Sequence, residues 1–168
     1  MTVPLTAREV PWDDADAVRL RRGMWEHYRP LFPEDTARAE ERFGGFLGVD
    51  AHIGRHVVAT VLVDDDGAPV GVGSLRPVPR LGPAVGEVTK VFVDPAARGR
   101  GVGRCVVVEL ERIAVRLGWD RLVLETSTGN EAAVALYAGL GFEPTEPLRT
   151  QGPVSMAKSL RAPSSDKG

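Results

Sequence analysis

Apolar positions in this chain switch between helical and strand spacing, and each switch marks an element. Ala17, Leu20, Met24, Tyr28 and Leu31 recur on one helical face after Asp13 and Asp14, both good N-caps, and Pro30 and Pro33 end or kink the helix they predict. A short strand is expected before it at residues 5–10, and a second helix, rich in glutamate and arginine, after it at 34–46. The β-branched run 57–63 and the weaker run 69–75 read as a hairpin joined by Asp64-Asp65-Asp66-Gly67-Ala68. Beyond a proline-rich connection, 77–83, a strand is expected at 86–93. Val106, Leu110, Ile113 and Leu117 form the next helical stripe, with Glu109, Glu111, Arg112 and Arg116 mostly off it, and Gly118 can terminate that helix. The continuous apolar centre of 121–126 suits a strand covered on both faces. A helix follows from Asn130. The last stretch, 142–160, carries Pro144, Pro147 and Pro153 and should hold two short edge strands. The order β-α-α-β-β-β-α-β-α-β-β fits an α/β (α+β) domain, a mixed sheet with helices on both faces.

Composition narrows the partners. At 168 residues the chain reads as one domain over 1–160, with a small, polar tail at 161–168 that should fray. Net charge −2 and a pI near 5.9 argue against nucleic-acid or membrane partners, so arginines concentrated at one loop mean a local anion site. The single Cys105 allows no internal disulfide and is expected to be a small packing residue, which with the absence of a long apolar run or a signal sequence suggests a soluble, cytoplasmic protein. His27, His52 and His56 lack metal-ligand spacing and read as structural or acceptor-pocket residues. The three aspartates read as a solvated turn, and no metal is expected.

The densest chemical signal is Val91-Phe92-Val93-Asp94-Pro95 followed by Arg98-Gly99-Arg100-Gly101-Val102-Gly103-Arg104. A strand, a proline turn, a glycine-rich loop and a helix start make a pyrophosphate cradle, because unpartnered N–H groups and the positive dipole end of a helix favour an anion. Glycines at 99, 101 and 103 let oxygens approach the main chain, and Arg98, Arg100 and Arg104 can add charge-assisted contacts. A Walker A ending is missing, which disfavours a nucleotide-binding switch, and the dinucleotide fingerprint fails at Arg104 and Val106.

This R-x-x-G-x-G loop resembles the acetyl-CoA loop of the GNAT N-acetyltransferase superfamily. Asn130-Glu131-Ala132-Ala133-Val134-Ala135-Leu136-Tyr137, running on to Gly141-Phe142, is similar to that superfamily's second signature, in the expected order. The likeness covers roughly residues 69–144. It departs in the strand before the loop, where Thr89 and Phe92 stand for a basic residue and a tyrosine in many relatives. The resemblance implies a mostly antiparallel sheet with one splayed parallel strand pair, and acetyl-CoA as cosubstrate.

It also implies roles. Val91, Phe92 and Val93 would pair with the pantetheine arm like a neighbouring strand, and an N–H near Val91 or Phe92 would polarise the thioester. Transfer to a primary amine in a ternary complex requires loss of a proton held by about 4.6 kcal/mol at neutral pH, since an alkylamine titrates near 10.4. Glu87 is the candidate base, and Tyr137 the candidate acid for the departing thiolate. Asn130 is expected to cap its helix or touch the pantetheine arm. Trp25, His27 and Tyr28 are candidates for the acceptor pocket, and a small-molecule or peptide amine is the expected partner. Polyamine, amino acid, aminoglycoside-like antibiotic and protein N-terminus all fit the motifs as acceptors. A homodimer through the carboxy-terminal edge strands is a further expectation. The competing reading is an acyl-CoA-binding sensor without turnover.

Overall fold

The structure, a computed structural model, describes residues 3–127, 129–149 and 154–161. Seven strands form one sheet in the order β1-β2-β3-β4-β5-β7-β6: β1 (Thr6–Val10), β2 (Ala59–Asp65), β3 (Ala68–Pro77), β4 (Val85–Val93), β5 (Arg121–Thr126), β6 (Glu143–Pro144) and β7 (Val154–Ser159). Every neighbouring pair is antiparallel except β4 and β5. Among the described residues five α-helices flank the sheet: α1 (Ala15–Tyr28), α2 (Pro33–Phe43), α3 (Phe46–Gly54), α4 (Val102–Arg116) and α5 (Glu131–Gly139). The expected mixed sheet is present. Pro153 and residues 162–168 of the expected tail lie outside the described residues.

Alternation along the strands divides the core in two. Val61, Val63, Leu75 and Val88 pack with Val102, Val106, Leu110 and Ile113 of α4, whereas Leu62, Val72 and Phe92 pack with Ala17 and Leu20 of α1. Each such burial contributes about 1.5–3 kcal/mol before chain entropy is counted. Close approach of α4 requires bare backbone on β3: a Cβ on Gly73 would sit 2.5 Å from a Val106 methyl. Two stripe residues end up outside the core, Leu31 at 60% and Leu117 at 47% exposed, each lying just past its helix.

Three expectations change. The single helix expected at 34–46 is two helices, because Gly44 and Gly45 at φ 78° and 109° end α2 with both N–H groups on the Glu40 carbonyl, and α3 begins immediately. β7 is no edge strand. It pairs with β5 over six positions and with β6 on its other side, and none of its own residues is a proline. The aspartate turn is a hairpin with Asp66 and Gly67 both at positive φ, yet Asp64 and Asp65 are ion-paired to Arg8 and Arg100 rather than merely solvated.

The helix absent from the sequence reading is held by a buried ion pair. Arg21 of α1 donates from Nε and Nη2 to the two Asp50 oxygens of α3 at 2.7 and 2.8 Å, and from Nη2 to the Trp12 carbonyl at 2.6 Å. Its guanidinium lies 3.5 Å from the Trp12 ring centre, and Trp12 Nε1 donates to the Asp50 carbonyl. This cluster fixes Ile53 of α3 beside Met24 and Tyr28 of α1, all of which border the candidate site. Asp50→Ala leaves Arg21 charged and buried; urea unfolding should show a loss of about 3–5 kcal/mol.

Candidate active site

β4 and β5 are registered at only three positions, Val85 with Arg121, Gly86 with Leu122 and Glu87 with Val123. Beyond them β4 continues along β3, while β5 continues along β7. The two strands splay, and a cleft of about 500 Å³ opens between Val88–Val91 on one side and Glu125–Ser127 on the other, lined also by Asn130, by Tyr137 of α5 and by Tyr28 of α1. Main-chain groups that a continuous sheet would pair are thereby left facing a space.

Within this opening β4 carries a bulge. Thr89 opposes Ser74 and Phe92 opposes Val72, so Lys90 and Val91 together face the single Gly73. Lys90 has φ 56°, a conformation that costs a non-glycine residue roughly 1–2 kcal/mol. The distortion lies where the strand borders the cleft. Val91 lines that cleft, Phe92 turns its ring into the α1 side of the core, and the Val93 carbonyl accepts from Arg98 Nε at 3.3 Å.

After β4 the chain makes a 3₁₀ turn, Pro95–Ala97, capped by Asp94, whose carboxylate accepts from Ala96 N–H at 3.0 Å. Gly99 and Gly101 follow at φ 79° and 83°, and Gly101 is the N-cap of α4. Among the described residues no side chain caps α4, as is also true of α2 and α3, whereas Asp14 caps α1 and Asn130 caps α5. The first-turn N–H groups of Val102, Gly103 and Arg104 are therefore available to an external acceptor. The arginines are arranged unequally. Arg98 folds back over the Phe92 ring, Arg100 binds Asp65, and Arg104 makes no ion pair among the described residues.

Glu87 and Tyr137 both line the cleft. Glu87 is 8% exposed and receives Arg76 Nε at 2.8 Å and Nη2 at 2.7 Å, both on Oε2. Tyr137 is 7% exposed, edge-on to Phe142. Burial, and secondarily Tyr28, push its phenol up to about 12. Asn130 Oδ1 accepts from Ala133 N–H at 3.2 Å, so it caps α5 while bordering the cleft. Burial, followed by Arg76, holds the Lys90 amine below the ordinary lysine value, against the pull of Asp50 and Glu87.

The expected site residues are thus divided between cleft and loop, joined by β4. Trp25 and Tyr28 line an apolar hollow of about 320 Å³ beside the cleft, His56 lies in a separate groove, and His27 packs edge-on against Tyr28. Cys105 is half-buried with its thiol pushed up by burial, which suits a packing residue. Sequence reasoning missed Arg76, Lys90 and Arg149. Arg76 meets Glu87 only through strand register, which no local pattern discloses; a lysine in a β-branched strand was the one visible hint at Lys90.

The family model described as Acetyltransferase (GNAT) family matches residues 17–142. An IAA acetyltransferase of Azospirillum brasilense is 33% identical over 157 residues, covering 94% of this chain and 95% of that protein. A mycothiol acetyltransferase of Mycobacterium marinum is 32% identical over 147 residues, 78% of this chain; the alignment covers only 37% of that longer protein. Among solved structures, the PaiA N-acetyltransferase of Thermoplasma acidophilum in complex with coenzyme A superposes with a TM-score of 0.72 at 14% identity, over 94% of this chain and 99% of that one, a likeness of fold.

The Tyr137 phenol gives a signed pH dependence. Its folded-state value lies above the unfolded value of 10.0, so the folded state holds the proton more tightly. Stability is intact below pH 10 and falls as pH rises toward 12, by about 3 kcal/mol for a two-unit shift. Urea titrations of wild type and Tyr137→Phe between pH 9 and 12 should show this decline flattened in the variant.

Proposed function

The chain belongs to the acetyltransferase (GNAT) family, and from that premise we propose that it transfers the acetyl group of acetyl-CoA directly to a primary amine within a ternary complex. The observation that carries this reading is the splayed β4–β5 cleft, together with the uncapped N-terminus of α4, the helix that follows β4 in the chain. The diphosphate lies on the N–H groups at 102–104, with Gly99, Gly101 and Gly103 permitting close approach and Arg98, Arg100 and Arg104 supplying positive charge. The pantetheine arm occupies the splay as a surrogate strand along Val91, Phe92 and Val93, touching Asn130. At the bulge, a main-chain N–H near Val91 polarises the thioester carbonyl and stabilises the oxyanion formed on attack.

The amine approaches from the Glu87 side. With both Arg76 bonds on Oε2, Oε1 is the oxygen left to accept from the amine and to pass its proton on through water. Attack forms the C–N bond, and collapse breaks the C–S bond and expels thiolate. Tyr137, its phenol held near 12, is protonated at every working pH, so it serves as donor to that sulfur and not as base. The protein acts in the cytoplasm on a small-molecule or peptide amine, without metal.

The test follows free thiol released from acetyl-CoA across a panel of amines. Wild type should release thiol with at least one amine, and Tyr137→Phe should lower kcat about 10²-fold while KM for acetyl-CoA stays within about twofold. Tight acetyl-CoA binding with no thiol release from any amine would instead favour the sensor reading.

A further inference from the structure

The cleft does not end at Glu87. Arg76, Glu87 and Arg149 also line a second, wider groove of about 1320 Å³, bounded by the end of α3, the β3–β4 connection and the segment at 147–149. The candidate base therefore stands at the junction of two spaces. One is the cleft between β4 and β5, and the other is walled by α3, the β3–β4 connection and the segment at 147–149.

The groove's charge is one-sided. Arg55, Arg76, Arg80 and Arg149 line it, with His56, against the single carboxylate of Glu87, in a chain whose net charge is −2. Arg76 is bound to Glu87, and Arg149 lies 3.5 Å from Glu125. Arg55 and Arg80 make no ion pair among the described residues. The backbone that carries Arg80 is constrained, while Arg55 stands at the C-cap of α3. Arg80 sits in a 3₁₀ turn beginning at Pro79, next to Pro77, and the neighbouring Val78 is buried with Val85 and Val123, against which Leu81 and Leu148 pack. Guanidinium groups carried beside this frame offer planar, forked donors to anionic oxygens.

We infer that the acceptor is a small amine carrying an anionic group, carboxylate or phosphate, which Arg55 and Arg80 hold in this groove while the amine reaches Glu87. This rests on the acetyltransferase reading above. It narrows the acceptor classes, because a polycation entering the groove meets four arginines, and like-charge juxtaposition discriminates against it. The acceptor's own charges are thus sorted, its anion toward the arginines and its amine toward the one carboxylate.

Matched amines of similar basicity test this: γ-aminobutyrate against butylamine, O-phosphoethanolamine against ethanolamine, with spermidine and an acidic peptide alongside. The anionic member of at least one pair should show kcat/KM at least about tenfold higher, and in an Arg55→Ala/Arg80→Ala double variant that ratio should fall toward one. The pair with the larger ratio distinguishes carboxylate from phosphate. Equal rates within both pairs, preference for spermidine, a ratio unmoved in the double variant, or preference for the peptide over every small amine would overturn the inference. A readout independent of turnover is calorimetric titration of the CoA-loaded protein with succinate and with inorganic phosphate. Saturable binding of one of them, lost in the double variant, supports the groove assignment, and binding of neither overturns it. Acetylation of neutral amines without preference would defeat this inference alone. Failure to bind CoA at all would defeat the acetyltransferase reading beneath it.

Discussion

Three registered positions hold β4 to β5, and the rest of the site depends on the pairing stopping there. Parallel strands that continued side by side would satisfy each other's main chain and leave no opening in the sheet. Here each strand is held by its outer neighbour instead, β4 by β3 and β5 by β7, so the splay costs the fold little while exposing polar backbone to a guest. The bulge at Lys90 and Val91 places the distorted part of β4 beside this opening.

The opening gains meaning from the helix that follows β4 in the chain. Helices α1 and α5 answer their own first-turn N–H groups with Asp14 and Asn130, and α4 does not. Helix α4 is also the most firmly seated of the helices, with six buried residues pressed onto a sheet whose Gly73 lets it come close. A firmly seated helix whose first-turn N–H groups have no side-chain cap suits the anion-binding role proposed for it, since little reorganisation is required when an anion arrives. On the opposite face, the Arg21–Asp50 pair fixes α3 against α1 and so sets the wall from which Tyr28 and Ile53 face the cleft.

Local patterns carried much of this. The β5 boundaries, the Asp14 and Asn130 caps and the α4 stripe through Ile113 all rest on residues within a few turns of each other, and the structure places them where their spacing says. What escaped depends on contacts between distant segments. Arg76 faces Glu87 only through the register of β3 on β4, and the left-handed Lys90 follows from a bulge that no single strand reveals. Phe46–Gly54 is short and apolar, and its helix is held by Asp50 meeting an arginine 29 positions earlier. Prolines in this stretch suggested an edge, but none is among the residues of β7, which pairs on both sides.

In the proposed function, main-chain donors at the start of α4 receive the cofactor's diphosphate. Backbone amide resonances of residues 99–104, followed during titration with coenzyme A and separately with pantetheine, address it most directly. The account predicts that coenzyme A shifts the amides of Val102, Gly103 and Arg104 and slows their exchange with solvent, and that pantetheine, which lacks the diphosphate, leaves them in place. Saturable coenzyme A binding with those amides unmoved would contradict it.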